Sequence, residues 1–415
     1  MADSLKAQYE ALPYPRRDPA AERKRLIMTE LERFSCLNHF VFGGKLDRSR
    51  PLRALVAGGG TGDAVIALAY QLRVLGMPGE IVYIDLSEAS REIARARVAV
   101  HGFDTVRFET GSFLEPGRFA AASFDYINCS GVLHHLESPA DGLRALARLL
   151  RPEGGMGLML YGSLGRTGIY PVQEMLRAIA PESLRVAERI ALARKLLAGL
   201  PATNWLVRNT AMSQPDPSDV ELFDSLLHSR DRAYAVEEIA ALTAAADLRL
   251  LGFIPPAMYR PSYYLNDPAL LERLSSLDPL AQAAFAEKLS GGLAKHEFYV
   301  VNAANPVAPP GAGESACIPM FDGFPEIPDF AGGSVRIAVK EPYFQLNVEL
   351  PAKSAQLLRL IDGERTLAEI HRLTGLDRPA FETTWSEIYS FMHGHGYIHL
   401  SRNPMPNLRF QAAAK

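Results

Sequence analysis

The sequence predicts an α/β fold: a doubly wound, mainly parallel sheet with helical insertions that cap it, followed by a small winged-helix-like unit. Three observations predict it. From Leu52 onward short apolar runs alternate with segments of helical periodicity. A glycine-rich turn, Gly58-Gly-Gly-Thr-Gly62, joins the first run to the first periodic segment. A Pro/Gly-rich stretch then separates these elements from a tail in which two strand patterns precede three helical ones.

The elements follow in order. Residues 1–50 read as a helical arm interrupted by Leu12-Pro-Tyr-Pro15 and stopped by Gly43-Gly44. The largest unit, 51–304, opens with a strand at Leu55–Ala57 and a helix at Asp63–Gly76. A strand at Ile81–Asp85 and a helix at Ser87–His101 come next. Strands at Thr105–Glu109, Phe124–Cys129 and Gly157–Tyr161 follow, the last two separated by a helix at Ala140–Leu150. Two helical insertions, 166–231 and 261–293, interrupt the rhythm and are expected to sit together as a cap. Around the second lie a helix at Ala235–Ala246 and strands at Leu248–Phe253 and Glu297–Val301. The linker is 305–333. In the tail, 334–415, strands fall near Arg336–Lys340, Phe344–Glu349 and Tyr397–Leu400, and helices at Ser354–Ile361, Leu367–Leu373 and Pro379–His393. Thr366 with Glu369 makes a capping box.

Composition bounds the function classes. The 415 residues carry 44 Lys+Arg against 47 Asp+Glu, a net charge of −3, with 48% hydrophobic and 22% charged residues. This is ordinary globular composition for two or three compact units, and it excludes disorder and a whole-chain field for nucleic acid or anionic lipid. Cys36, Cys129 and Cys317 are odd in number and lack Cys-x-x-Cys spacing, which argues against a disulfide framework or a cysteine zinc cluster. Met1–Ala20 is polar, without the apolar core of a signal peptide, and no apolar run approaches the roughly 20 residues of a membrane helix. The expectation is a soluble cytoplasmic chain.

The glycine turn carries the first chemistry. Glycines after a strand let a ligand approach the main chain at a helix start. Asp85, 23 residues beyond Gly62 at the end of the second strand, stands where a carboxylate can accept both hydroxyls of a ribose. Gly58, Gly60 and Gly62 fall on alternate positions, not in the dinucleotide spacing, so a nucleoside without a pyrophosphate is favoured. With Ile84-Asp-Leu-Ser87, Phe124-Asp-Tyr-Ile127, Val132-Leu-His-His-Leu136 and Leu150-Arg-Pro-Glu-Gly-Gly155, the chain resembles the class I S-adenosylmethionine-dependent methyltransferases. The likeness is dense over 52–162 and resumes over Tyr234–Phe253.

The resemblance implies a Rossmann-like sheet, S-adenosyl-L-methionine as cofactor and S-adenosyl-L-homocysteine as product. It implies that Gly58, Gly59, Gly60 and Gly62 line the methionine end, that Asp85 holds the ribose, and that Leu86, Ser112 and Phe113 flank the adenine. Ser130 and Gly131 would lie beside the sulfonium, and Tyr9 and Tyr14 of the arm would fold over the methionine group. Two departures stand out: Val56 where most members carry an acid, and Ser112 where the adenine-facing Asp is usual. The second shifts part of adenine recognition to Ser112, the backbone or Asp63.

For the acceptor side, Tyr161 ends the fifth strand, which faces the acceptor in this fold. His134 and His135 follow the fourth strand, either as base and orienting group or as residues lining the turn. As neighbours on a helix they should point apart, so no metal site is expected there. Arg166 either reaches an acceptor or pairs with a helix carboxylate. His228 opens a polar cluster, His228-Ser-Arg-Asp-Arg-Ala-Tyr234, that faces substrate or caps a helix. Arg16, Arg17, Arg23, Lys24 and Arg25 read as a solvated face.

The tail is weakly basic, with ten Lys/Arg and eight Asp/Glu from Arg336 onward, and its third helix carries Glu382 and Glu387 with no basic residue after Arg378. A groove-reading helix needs cations, so DNA is not the expected partner. Leu357–Ile370 and Gly396–Leu400 resemble a small peptide-binding domain of pyrroloquinoline quinone biosynthesis and the winged helices that follow bacterial protein lysine methyltransferases. That implies a peptide or protein acceptor, against which stand a small-molecule acceptor and a dimerisation role for the tail. A non-catalytic S-adenosylmethionine sensor and transfer of a modified substituent such as carboxymethyl complete the alternatives.

Overall fold

Strand β1 (Leu52–Ala57) is buried along nearly its whole length, as a strand covered on both faces must be. The computed structural model describes residues 2–24, 26–209, 212, 217–322, 335–340, 345–350 and 353–407. With β1 stand β2 (Gly79–Asp85), β3 (Val106–Thr110), β4 (Phe124–Ser130), β5 (Leu150–Tyr161), β6 (Leu248–Ile254) and β7 (Lys295–Asn302) in one sheet. Its order is β3-β2-β1-β4-β5-β7-β6. The pairs among β1 to β5 are parallel, whereas β7 runs antiparallel to both β5 and β6. The reversed strand has a simple cause: the chain leaves β6 and enters β7 at the same end of the sheet. Alternation along β1 sends Leu55 and Ala57 to one face and Ala54 and Val56 to the other, and each face has its own apolar cluster.

The arm carries α1 (Ala2–Ala11) and, after an extended stretch, α2 (Phe34–Cys36), which runs on as a π turn over Leu37–Val41. Helices α3 (Asp63–Leu75), α4 (Glu88–His101) and α5 (Pro139–Leu149) connect the parallel strands. Ser87 and Ser138 cap α4 and α5 by accepting main-chain N–H bonds from the first turn. Between β5 and β6 lie α6 (Ile169–Ile179), α7 (Val186–Ala198), α8 (Trp205–Arg208), α9 (Asp219–Leu226) and α10 (Val236–Ala244). Between β6 and β7 lie α11 (Pro268–Ser275) and α12 (Pro279–Ser290).

The two insertions do not form one cap. Helices α6, α7 and α9 enclose their own core, with Val172, Leu176, Leu222 and Phe223 at its centre. Ala283 and Ala284 of α12 join the sheet's core instead, beside Ile239 of α10, so the second insertion covers a sheet face.

The tail has helices α13 (Ser354–Leu358), α14 (Leu367–Thr374) and α15 (Arg378–Gly394) around Leu357, Ile370, Trp385 and Ile388. The Thr366–Glu369 capping box starts α14. Strand pairing differs from the expected wing. Strand β8 (Ile318–Phe321), from the segment read as linker, pairs antiparallel with the last strand, β11 (Ile398–Ser401), while β9 (Val335–Lys340) and β10 (Gln345–Leu350) pair only with each other. The rest of the expected linker, 323–333, and Phe344 lie outside the described residues.

The arm binds the tail to the sheet. Tyr126 and Tyr299 of β4 and β7 donate their hydroxyls to the carbonyls of Leu31 and Glu30, and Gln71 of α3 donates to Glu32. A few residues on, Arg33 pairs with Asp322 at 2.9 Å and Asn38 donates to Ser401 at 2.8 Å. Among the described residues no helix is long and apolar enough to cross a membrane.

Candidate active site

The strand order reverses between β1 and β4, which opens a crevice at their carboxyl ends. Into it turn the loop after β1 (Gly58–Gly62), the end of β2 (Asp85), the loop after β3 (Ser112), the turn after β4 (Ser130, Gly131) and the end of β5 (Tyr161). The glycine turn has no room for side chains. A Cβ at Gly58 would fall 2.4 Å from Val132, at Gly59 2.3 Å from Tyr83 and at Gly60 2.7 Å from the carbonyl of Tyr14. Gly58, Gly60 and Gly62 also have positive φ of 73°, 51° and 103°, the left-handed region where glycine alone is unstrained.

Asp85 is half-buried at the carboxyl end of β2. Its carboxylate accepts the Gly60 N–H at 2.8 Å and the Ser87 N–H at 2.9 Å, which fixes both the glycine turn and the start of α4. Burial pushes its pKa up, partly offset by these main-chain donors. Leu86 beside it is half-buried, as are Ser130 and Gly131. Ser112 accepts the Leu114 N–H at 3.1 Å and so shapes the loop after β3, while half-buried Phe113 packs on the core.

The arm lies across the crevice. Ser87 donates its hydroxyl to the Tyr9 carbonyl, Thr61 donates to the Pro15 carbonyl at 2.7 Å, and Glu10 accepts the Glu88 and Ala89 N–H groups at the head of α4. Asp63 is committed to this clamp: it accepts from Arg17 at 2.6 Å and from Arg97 at 2.8 Å. Both Asp63 oxygens thus hold guanidinium groups, so adenine recognition by Asp63, one of the sequence expectations, would have to share them with the clamp. Arg17 departs from the solvated face expected for the basic run.

Tyr161, His134, His135, Arg166 and His228 converge. The His134 ring stacks on Tyr161 with centroids 4.0 Å apart, and the Arg166 guanidinium lies 3.8 Å from the Tyr161 centroid. His134 and His135 do not point apart: in a tight turn, not an α-helix, their rings meet edge to face at 4.2 Å. His135 stacks on His228 at 3.8 Å and donates Nδ1–H to the Arg230 carbonyl at 2.8 Å. Arg166 pairs with Asp231 at 3.0 Å, a loop carboxylate where a helix carboxylate was one of the two expectations, and Gln173 donates to the same oxygen.

One residue at the centre was not anticipated. Asp224 of α9 is buried and accepts the Tyr9 hydroxyl and the Tyr161 hydroxyl, each at 3.3 Å. Burial and the nearby Asp231 carboxylate raise its pKa to about 7. Tyr9 also lies 3.2 Å from His228 Nε2. Because His228 Nδ1 accepts the Arg230 N–H at 3.0 Å, the neutral ring carries its proton on Nε2 and donates it to Tyr9. Burial lowers His228 to about 2, so it stays neutral, and it holds the Tyr9 and Tyr161 hydroxyls protonated. The result is a directed chain, His228 to Tyr9 to Asp224, with Tyr161 feeding the same carboxylate. Burial raises Tyr14 to about 12, so it too is neutral.

Sequence carried a signal for Asp224: an acid among Leu222, Phe223, Leu226 and Leu227, inside the apolar stripe of a short helix. The cluster also holds unpaired buried polar atoms. Both ring nitrogens of His134 and Asp231 Oδ1 have no hydrogen-bond partner. Groups of this kind are costly unless something polar meets them. Two sets here, His134 with His135 and Asp231, and His135 with Asp224 and His228, bring ligand-type atoms within 4.8 Å of one another. In the second set the His135 and His228 Nδ1 atoms and the Asp224 oxygens already serve the hydrogen-bond chain.

Residues 55–156 match the family model described as a methyltransferase domain. PKMT2 from Rickettsia typhi in complex with AdoHcy superposes with a TM-score of 0.63, covering 90% of this chain and 76% of that one at 15% identity. The sheet and its connecting helices thus have the fold of the class I S-adenosylmethionine-dependent methyltransferases, and the likeness to that structure covers 90% of the chain. An uncharacterized protein of Synechococcus sp., syc1184_c, is 28% identical over 305 residues, 72% of each chain. The ubiquinone biosynthesis O-methyltransferase of Neisseria meningitidis is 31% identical over 71 residues, 17% of this chain and 30% of that one.

Proposed function

We propose that this chain transfers a methyl group from S-adenosyl-L-methionine to a nitrogen or oxygen nucleophile of a peptide or protein side chain, with Asp224 receiving the acceptor's proton. Bound in the crevice, the cofactor supplies an electrophilic methyl on a positively charged sulfur. The residues present fit it. The glycine turn excludes side chains where a nucleoside must approach the main chain, and the half-buried Asp85 carboxylate at the end of β2 is the group that would accept the ribose hydroxyls. Gly58, Gly59, Gly60, Gly62, Asp85, Leu86, Ser112, Phe113, Ser130, Gly131, Tyr9 and Tyr14 form the proposed contact set. A solved relative of the same fold that holds AdoHcy supports the class of cofactor.

The observation that carries the reading is Asp224 between two tyrosine hydroxyls, with a pKa of about 7. A general base is most effective when its pKa lies near the working pH. Tyr161 orients the acceptor and passes its proton to Asp224, and Tyr9 with His228 balances the charge from the other side. His134, neutral and unpaired, accepts or donates a hydrogen bond to the acceptor. Arg166 is held by Asp231 and keeps the Tyr161 ring in place. The arm excludes water, which leaves alignment as the protein's main contribution to an in-line displacement.

A peptide acceptor is supported by where the tail sits. Helix α15 packs against the Pro256–Tyr259 turn that leaves the carboxyl end of β6, on the crevice side of the sheet. A cavity of about 530 Å³ lies between them, with Arg260, Tyr263, Glu387 and Phe391 in its wall. The test is methyl-labelled S-adenosylmethionine with lysate of cells lacking the protein, separated by size. Label in macromolecules supports the peptide acceptor, label only in small molecules replaces it, and cofactor binding without transfer would leave a sensor.

A further inference from the structure

Three histidines meet where the arm and the tail join, well away from the proposed catalytic cluster. His39 lies on the π turn Leu37–Val41, His393 near the end of α15, and His399 on β11. Their exposures are 1%, 8% and 1%, and their ring centroids lie 4.7 to 5.5 Å apart. One ligand-type nitrogen from each lies within 4.8 Å of the others. The second shell fits metal ligation. His393 Nδ1 is 3.1 Å from the Ile398 carbonyl; His39 Nδ1 is 3.1 Å from the Leu400 carbonyl and 3.2 Å from the Leu400 N–H, so ligation through Nε2 selects the tautomer that donates to the carbonyl. In the tautomers that donate Nδ1–H to those carbonyls, both rings are oriented and Nε2 keeps its lone pair.

His399 supplies the independent observation. The ring meets the Gly396 main chain, but among the described residues its buried Nδ1 makes no well-formed hydrogen bond, while Nε2 lies 3.2 Å from Cys36 Sγ and 3.8 Å from Asp322 Oδ2. Asp322 is itself fixed by Arg33 and Ser35, so a carboxylate backs the ring on the side away from the open nitrogen. A fold gains nothing from an unpaired imidazole nitrogen enclosed with two other rings unless something occupies the space between them.

We propose that His39, His393 and His399 bind one Zn2+ ion that staples the arm to the tail. Three imidazole nitrogens suit borderline ions of this class better than Mg2+ or Ca2+. Zinc holds such nitrogens about 2.0–2.1 Å away, so the rings close on it by ångström-scale adjustments. The ion joins residue 39 to residues 393 and 399, segments at opposite ends of the sequence, and its affinity is added to the stability of their contact.

The experiment is metal analysis of the full-length protein, purified without a histidine tag and passed through gel filtration after exposure to Zn2+. The expected result is about one zinc per chain. Occupancy should be lost in His399→Gln and kept in His228→Gln. Chelation should lower the melting temperature, with Zn2+ but not Mg2+ restoring it. A folded protein that retains below about a tenth of an equivalent overturns the proposal, as does zinc that His228→Gln removes and His399→Gln does not. If His399→Gln fails to fold, X-ray absorption of the wild-type zinc protein decides. Three imidazole scatterers support the site, and a shell without them overturns it.

Discussion

Asp224 sets the expected pH behaviour of the chain. Turnover should rise about tenfold per pH unit below about 7 and flatten above it, as the carboxylate loses its proton. Asp224→Asn should lower kcat by about 10²- to 10⁴-fold and remove that acid limb, read in a pH–rate profile at saturating cofactor. Stability carries the opposite sign. The folded pKa is above the ordinary carboxylate value of about 4, so the native state holds the proton more tightly and its stability falls between roughly pH 4 and 7. Buried Glu32, also raised to about 7, adds to the same fall, and the Asn variant isolates the share of Asp224 in a pH series of urea melts. Tyr161→Phe should reduce kcat by about tenfold or more while leaving cofactor affinity within about twofold, because its hydroxyl serves the carboxylate; equal loss of both in calorimetry would give it a structural role. At this scale the sequence was informative about residue types that follow strands, and Tyr161, His134 and His135 are of that kind. Asp224 was hidden because one acid in a short amphipathic helix looks like any other until the helix is docked.

The arm is the element whose role was least legible. Its basic run suggests a solvated surface, yet Arg17 clamps Asp63, and Arg97 of α4, fully buried, bridges Glu22, Asp63 and the Thr61 carbonyl. Local charge spacing cannot reveal such pairs, since 75 residues separate Glu22 from Arg97. Breaking a buried pair leaves an uncompensated charge. Glu22→Gln should cost about 3 kcal/mol, the low end for such losses because Asp63 still holds Arg97. Chemical denaturation measures that cost. The same variant should weaken cofactor binding, since the clamp seats Tyr14 over Gly60. Unchanged stability would mean that the arm is held mainly by its apolar contacts. The insertions teach a related lesson: periodicity located the helices, but not that α12 would join the sheet's core while α6, α7 and α9 enclose their own.

Across the whole molecule, the sheet was readable because strands buried on both faces leave unbroken apolar runs, and each helix between them is punctuated by a serine cap or a glycine. What could not be read is whatever depends on pairing between distant segments. The reversal of β7, the union of β8 with β11, and the meeting of His39 with His393 and His399 all join residues that no local pattern relates. The central claim concerns the crevice at the carboxyl ends of β1, β2 and β4, and calorimetry with S-adenosyl-L-homocysteine tests it most directly. The wild-type chain should bind one equivalent. Asp85→Ala should weaken binding by about 10²- to 10⁴-fold, the worth of two hydrogen bonds to a charged group. Absence of binding by the folded wild-type chain, or equal affinity in the variant, would contradict the account.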